Sequence, residues 1–452
     1  MEPLSGNTAD PQTSDSVSTK LERIATRAEQ MPETALRTLN HCLDRDLLLV
    51  ACLRTRKDAA VGVDGETYED FQENLFDRLD QLVDQAHTGL YRAPPVRRVY
   101  ISKGGSSTEK RPLGIPAFAD KVLQRAVAMI LEPIYEHDFH EGSYGFRPGR
   151  SAHQAIDDLR GWLNRNGGGW VLDVDVRKYF DTIDHAHLRE FLRRRFRDGV
   201  LLRLIGKWLN AGVLEEGAVW YPDEGTPQGG VISPLLANIY LHYVLDEWFE
   251  EQVKPVLAGE AKLIRFADDF VLAFTKQRDA ERVFAVLGKR FAKYGLTIHP
   301  EKTRLVRFER PRRGHDSSGG GRGKPETFDL LGFTWHWGRT RGGGWTVKTQ
   351  TASSRIRRTI TRIDDWCRSH RHDPIPQQQT TLSRKLHGHY NYYARPGNYY
   401  ALSRVYRGVL RAWQKWLSRR SWKAHLTWSR FERLLARHVL PLPRIRVKLH
   451  PG

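Results

Sequence analysis

Cysteine is nearly absent. The 452 residues contain three, Cys42, Cys52 and Cys367, and no Cys-x-x-Cys pair. That excludes a zinc ribbon or finger as the folding device and makes a disulfide-stapled secreted fold a poor description of the chain. Long apolar runs are absent too. No stretch approaches the roughly 18 residues a membrane-spanning helix needs. The first twenty residues, MEPLSGNTADPQTSDSVSTK, lack an apolar centre and carry Glu2, Asp10 and Asp15 ahead of the first base, Lys20. They read neither as a signal peptide nor as an organellar transit peptide. Acidic residues are in deficit: 53 Asp and Glu stand against 72 Lys and Arg, a net charge of +19. An excess of that size anticipates an anionic partner, nucleic acid before a membrane surface.

The chain is otherwise rich enough in apolar side chains, 40% with 10% aromatic, to build sizeable cores. Five segments are expected. Residues 1–18 read as a disordered polar tail. Residues 19–92 read as a helical N-terminal extension, with Leu39, Leu43, Leu47 and Val50, then Phe71, Leu75, Leu79 and Leu82, at helical spacing on either side of a Gly62–Gly65 turn. Residues 93–350 alternate short apolar strands with helices, an α/β pattern containing a Gly/Ser/basic loop at 314–324. Residues 351–440 are helical and basic. Residues 441–452 form a Pro-punctuated basic tail.

Two acidic sites stand out. LIRFADDFVLAF (263–274) has apolar flanks around an acidic centre, the pattern of a β-hairpin with Asp268 and Asp269 at or beside its turn. Alone, an Asp-Asp pair in a turn says little. WVLDVDVRKYFDTID (170–184) changes that. As a strand it sets Leu172, Val174 and Val176 on one side and Asp173 and Asp175, roughly 7 Å apart, on the other. Crowded carboxylates repel, the more so when buried. Divalent cations relieve that cost, and Mg²⁺ is suited to it because it takes one or two carboxylates and shares substrate phosphates.

These residues, with RPLGIP (111–116), SYGFRPGRSAHQAI (143–156), GTPQGGVISPLLANIYL (225–241) and DLLGFTW (329–335) in that order, resemble group II intron-encoded reverse transcriptases/maturases over residues 20–445. The resemblance implies an α+β fold: a right-hand polymerase of fingers and palm, an RRM-like palm sheet, and a C-terminal α-helical thumb, the maturase or X domain. It implies an RNA-directed DNA polymerase, a nucleotidyltransferase, that extends a primer with dNTPs on an RNA template. The same protein would bind its group II intron RNA to assist splicing and retrohoming.

By the same resemblance the catalytic residues are Asp175, Asp268 and Asp269. The metal set for two Mg²⁺ is Asp175, Val176, Asp268 and Asp269. Asp173 falls at a less constrained position, and Asp181 and Asp184 read as caps for the next helix. Phe266 departs from the Tyr usual before Ala-Asp-Asp: it keeps the ring and loses the hydroxyl. Lys103 and Arg111 resemble triphosphate contacts, Gln228 a nucleotide contact, and Phe180 the ring beneath the incoming sugar that excludes a 2′-hydroxyl. Arg147 and Arg150 either line the template path or brace the fingers. Lys302 is either a group near the pyrophosphate or a helix-end charge.

Residues 401–452 hold 13 Lys and Arg and one acid, Glu432. Arg404, Arg407, Arg411, Lys415 and Arg419 fall on one helical stripe beside an apolar one of Val405, Val409, Trp413 and Trp416. An unpaired single-sign stripe suits RNA phosphates. No HNH-type nuclease pattern is expected at the C-terminus. The implied partners are group II intron RNA, an RNA template with DNA primer, target DNA and dNTPs, with no membrane. The implied location is the bacterial cytoplasm or nucleoid, and monomer and homodimer both stay open. Alternatives are a domesticated reverse transcriptase in antiviral defence or CRISPR adaptation, and a binding-only RNA maturase.

Overall fold

The computed structural model describes residues 11–102, 110–215, 217–221, 224–226, 229–311, 326–421 and 425–445. In chain order it contains α1 (Pro11–Gln30), α2 (Arg45–Arg54), α3 (Tyr68–Gln72), α4 (Leu75–Thr88), β1 (Val96–Ser102), β2 (Lys110–Ile115), α5 (Phe118–Asp138), α6 (Ala152–Arg165) and β3 (Gly168–Val174). It continues with α7 (His185–Arg195), α8 (Gly199–Leu209), β4 (Val213–Glu215), β5 (Ala218–Trp220), α9 (Ser233–Leu241), β6 (Ala261–Phe266), β7 (Asp269–Phe274) and α10 (Gln277–Lys293). The last elements are β8 (Arg304–Glu309), β9 (Phe328–Leu330), β10 (Phe333–Arg339), β11 (Trp345–Thr351), α11 (Ser353–Ser369), α12 (Ile375–Tyr393), α13 (Tyr399–Leu417) and α14 (Trp428–Arg437). The fold is α+β. Its described helices include none long and apolar enough to cross a membrane.

The chain forms two compact units that are not contiguous in sequence. One comprises residues 1–101, 110–155 and 174–304, the other 102–109, 156–173 and 305–452. This partition cuts across the division expected at 350. Residues 156–173 meet β11 through Arg160, which donates to the Val347 carbonyl at 3.1 Å, and Asn164, which accepts from the Val347 amide at 2.9 Å, while Phe333 of β10 stacks on Tyr392 of α12 at 5.7 Å.

In the first unit α5 is the hub. Most of its residues are buried, Val122, Leu123, Ile130 and Leu131 completely, and α1 and α2 pack on it. The buried Arg195 at the end of α7 binds Asp138 at 2.6 Å and donates to the carbonyls of Ala28 and Met31. That gathers the exit of α1, the end of α5 and the end of α7 around one guanidinium. The expected tail is shorter than 1–18, since α1 starts at Pro11, and residues 1–10 lie outside the described residues.

Each of the two helical stripes in 19–92 is divided. Asp44 caps α2 by accepting from the Leu47 amide at 3.0 Å, so Leu39 and Leu43 belong to the turn before it. Thr67 and Asp70 form a reciprocal capping box that starts the short α3, separating Phe71 from the α4 leucines. A sheet of order β2-β1-β4-β5 joins β1 to β4 in parallel.

The second unit holds the antiparallel sheet β11-β10-β9, with Phe328 stacked on Trp335 at 5.5 Å, and α11 to α14 around the fully buried Trp413. Trp413 donates to Gln378 at 2.9 Å. All three cysteines are buried free thiols.

Asp120, in the first turn of α5, is 2% exposed, and its Oδ1 meets no protein donor among the described residues. Burial pushes its carboxyl up to about 7. A carboxyl raised above its unfolded value of roughly 3.9 destabilises the fold as pH climbs through that interval, and the full penalty is present above the folded value. Asp120→Asn should therefore raise thermal stability at pH 8, by up to about 4 kcal/mol, with the gain vanishing near pH 4. Melting curves at several pH values check this; a gain independent of pH would contradict it.

Candidate active site

The hairpin expected at 263–274 forms with the acids where the pattern puts them. β6 and β7 pair antiparallel from Ala261–Phe274 to Phe266–Asp269, leaving Ala267 and Asp268 as a two-residue turn. A right-twisted hairpin of this length needs a positive φ in its turn, and Ala267 supplies it at 59°. Asp268 thus sits at the tip and Asp269 opens β7. Phe266, the ring without a hydroxyl, is half-buried opposite Asp269.

Asp175 follows β3 directly. Val171, Leu172 and Val174 are all buried, so β3 is covered on both faces and not only on the Leu172/Val174 side. Beyond it the chain runs against residues 297–303. The carbonyl of Asp175 accepts from the His299 amide at 2.7 Å, Val176 bridges Ile298, and the Arg177 amide donates to Thr297 at 2.8 Å. This pairing delivers Lys302, whose Nζ lies 3.0 Å from Asp175 Oδ2. An ammonium against that oxygen marks Asp175 as an acceptor of positive charge.

The electrostatics tie the pieces together. Burial raises the Asp268 carboxyl above its usual range and the charge of Asp175 adds to this, while Arg111 and Arg265 work in the opposite direction. Two carboxylates of one sign therefore share a field that cations relieve. Among the described residues no three carboxylate, imidazole or thiol groups enclose a metal by themselves. Asp175 and Asp268 still fit Mg²⁺, which uses one or two carboxylates, keeps several waters and completes its shell with substrate phosphates. Asp269 is exposed at the start of β7.

The expected nucleotide residues are partly placed. Arg111, on β2, is exposed within the field of both Asp268 and Asp181. Lys103 and Gln228 lie outside the described residues, as does the 314–324 loop. Phe180 is 8% exposed, beside Tyr179 in the turn Tyr179–Asp181. Its carbonyl accepts from Thr226 at 2.7 Å, bringing the GTPQGG segment to it. Gly229 has φ 118°, and a Cβ there would meet the Gly114 carbonyl at 2.3 Å, so the glycine permits a close approach to RPLGIP. The loop after it is held by Gln124, a buried residue absent from the expected set, which accepts from the Val231 amide at 2.8 Å.

One expectation changes. Asp184 caps α7 through the His187 amide at 2.8 Å, but Asp181 lies inside the preceding turn and faces Lys178, Arg98 and Arg111. Arg147 is buried, and all its guanidinium nitrogens are engaged, with Glu136 and with the carbonyls of His140 and Ser143. Of its two readings, bracing is the one this geometry favours over template contact. Arg150 lies over the Tyr144 ring at 5.6 Å.

In the second unit, α13 carries Arg404, Arg407, Arg411 and Lys415 along a groove that also includes Asp364 and Ile360 of α11. Lys415 pairs with Asp364 at 3.0 Å, so the stripe is not wholly unpaired. Val405, Val409 and Trp413 face the core as their spacing requires.

Residues 101–335 match the reverse transcriptase (RNA-dependent DNA polymerase) family. The chain belongs to the reverse transcriptase family. Within it the likeness is to the group II intron-encoded reverse transcriptases and maturases. Protein YkfC of Escherichia coli K12 is 44% identical over 208 residues, covering 45% of this chain and 53% of that protein. Group II intron-encoded protein LtrA of Lactococcus lactis subsp. cremoris is 40% identical over 226 residues, 49% of this chain and 37% of LtrA. Nuclear intron maturase 2, mitochondrial, of Arabidopsis thaliana is 31% identical over 179 residues, 30% and 24% of the two chains. The chain spans about half the length, or less, of these curated relatives.

Proposed function

We propose that the protein is an RNA-directed DNA polymerase that extends a primer with dNTPs on an RNA template, using two Mg²⁺ at Asp175, Asp268 and Asp269, with the Val176 backbone beside them. The observation that carries this reading is the shared field of Asp175 and Asp268, with a lysine at 3.0 Å from one and an arginine offsetting the other. In this reading residues 93–350 are fingers and palm, and 351–440 a thumb.

Bound Mg²⁺ supplies activation of the primer 3′-hydroxyl and stabilisation of the leaving pyrophosphate. The chain's own residues do the rest. Asp175 and Asp268 concentrate negative charge where cations are needed. Arg111, with Lys103, offers positive charge to the triphosphate, and Arg is the better match for paired phosphate oxygens. Lys302 neutralises Asp175 and stands ready to meet phosphate. Phe180 underlies the sugar, and Gln228 contacts the nucleotide. Positioning and charge, rather than covalent chemistry, carry the rate.

The name of LtrA, and the maturase relative, support a second role: binding a group II intron RNA to assist its splicing and retrohoming into target DNA. The α13 groove, with Arg150 and the basic tail, would hold phosphates without supplying catalytic groups. Such work suits a cytoplasmic or nucleoid setting.

Primer extension on RNA with dNTPs and Mg²⁺ tests the assignment. Asp268→Ala should lose at least about 100-fold in rate, and equal extension by variant and wild type would end the assignment. Phe180→Ala should admit rNTPs, read as the dNTP/rNTP ratio of kcat/KM; an unchanged ratio removes the gate. The combined Arg404/Arg407/Arg411→Ala variant should weaken RNA binding and reduce the slope of log Kd against log salt by about 2 to 3. An unaltered slope would make the stripe a solvated face.

A further inference from the structure

Arg265 is fully buried on β6, the strand that leads into the aspartate turn, and lies two residues before Ala267. An arginine among Leu263, Ile264 and Phe266 is costly to bury, and four hydrogen bonds from its guanidinium offset that cost. Nε donates to Asp246 Oδ1 at 2.8 Å and Nη2 to Oδ2, a bidentate pair with a carboxylate that is itself 0% exposed. Nη1 donates to Asn238 Oδ1 at 2.9 Å and to the Ala267 carbonyl at 3.2 Å. Asn238, also buried, donates onward to the Gly145 carbonyl at 2.5 Å.

The last two contacts matter most. The Ala267 carbonyl belongs to the peptide that joins Ala267 to Asp268. Ala267 has φ 59°, a region L-residues occupy only when the surroundings over-determine it. A second brace comes from backbone. Residues 142–145 run along β6: the Arg265 amide donates to Gly142 and its carbonyl accepts from Tyr144, both at 2.8 Å. A Cβ on Gly145 would meet the Ala267 amide nitrogen at 2.2 Å, so the backbone there lies directly against the turn.

A buried ion pair is a weak stabiliser relative to apolar residues of the same volume, which makes stability alone a poor reason for this one. We propose that Arg265 is a positioning residue: clamped by Asp246 and Asn238, it locks the Ala267 peptide, and with the Gly145 backbone it fixes where the Asp268 carboxylate is presented. Through Asn238 and Gly145 the same device ties the hairpin to the SYGF segment. This rests on the polymerase reading for its functional meaning, but not for its geometry.

The test uses Arg265→Lys in the full chain, which keeps the charge and removes the fork. Two measurements are made: hydrogen exchange along the chain, and the Mg²⁺ dependence of primer extension. Exchange should rise selectively at residues 265–270 and 142–146. The half-saturating Mg²⁺ concentration should rise about 10- to 100-fold while KM for dNTP and primer–template affinity stay near wild type. A uniform rise in exchange that follows a lowered melting temperature, with the Mg²⁺ dependence unchanged, would overturn the proposal and leave Arg265 a core ion pair. If Arg265→Lys does not fold, Asn238→Ala, which spares the ion pair, and Gly145→Ala are measured the same way, with the same outcomes deciding. If the wild type extends no primer, the polymerase reading fails, and selective or uniform exchange alone decides the positioning role.

Discussion

Like charges brought together in a poorly solvated place are the constraint from which the rest of the molecule follows. Asp268 is raised by burial and again by the charge of Asp175. Such a pair is unfavourable in the protein alone and becomes favourable only when positive charge is supplied. Three nearby side chains supply some: Lys302 at 3.0 Å from Asp175, Arg111 from β2, and Arg265 from β6. The site is a sink for cations, and the protein's own side chains fill only part of the demand. In the proposed function, Mg²⁺ and substrate would take up the remainder.

Holding that arrangement requires backbone that would not adopt its shape unaided. A left-handed alanine in the turn, left-handed Lys178 before the turn that carries Phe180, and Gly229 pressed against Gly114 are all points of local strain or close approach. They cluster around the carboxylates, and each has a named neighbour: the Arg265 guanidinium, the pairing of 175–177 with 297–303, and Gln124, which accepts from the Val231 amide just after Gly229. The rigidity of the site is therefore a property of several sequence segments far apart in the chain. The net charge of +19 sits in a different place from the acids proposed to hold the metal, in part along α13, where Lys415 already has an acidic partner while the arginines line an open groove.

Much of this was legible before any coordinates. The segment around Asp268 and Asp269 marked a hairpin because two apolar runs flank a short acidic centre. The α13 stripes were legible because a period of 3.6 separates charge from core. The motif blocks implied the family, and the family match over residues 101–335 bears that out. What could not be read was set by tertiary partners. Arg147 looks like a free cation in GFRPGR and turns out to be buried because Glu136, eleven residues earlier on α5, meets it. Asp181 and Asp184 look alike in DTIDH, and only one has a helix amide to accept from. Arg265 was not singled out from the sequence, because its meaning needs Asp246, Asn238 and Gly145, which no local pattern joins to it. The division into units was hidden for the same reason: residues 156–173 group with segments more than a hundred residues away, and Arg160 and Asn164 both hydrogen-bond to Val347.

The central claim is that the hairpin tip and the residue after β3 form one cation site. Bound Fe²⁺ tests it directly, since hydroxyl radicals generated at the metal cut nearby backbone. The account predicts cuts close to Asp175 and to Ala267–Asp268, suppressed by excess Mg²⁺ and lost in Asp175→Ala. Cuts confined to other segments, or cuts at these two that Mg²⁺ does not suppress, would contradict it.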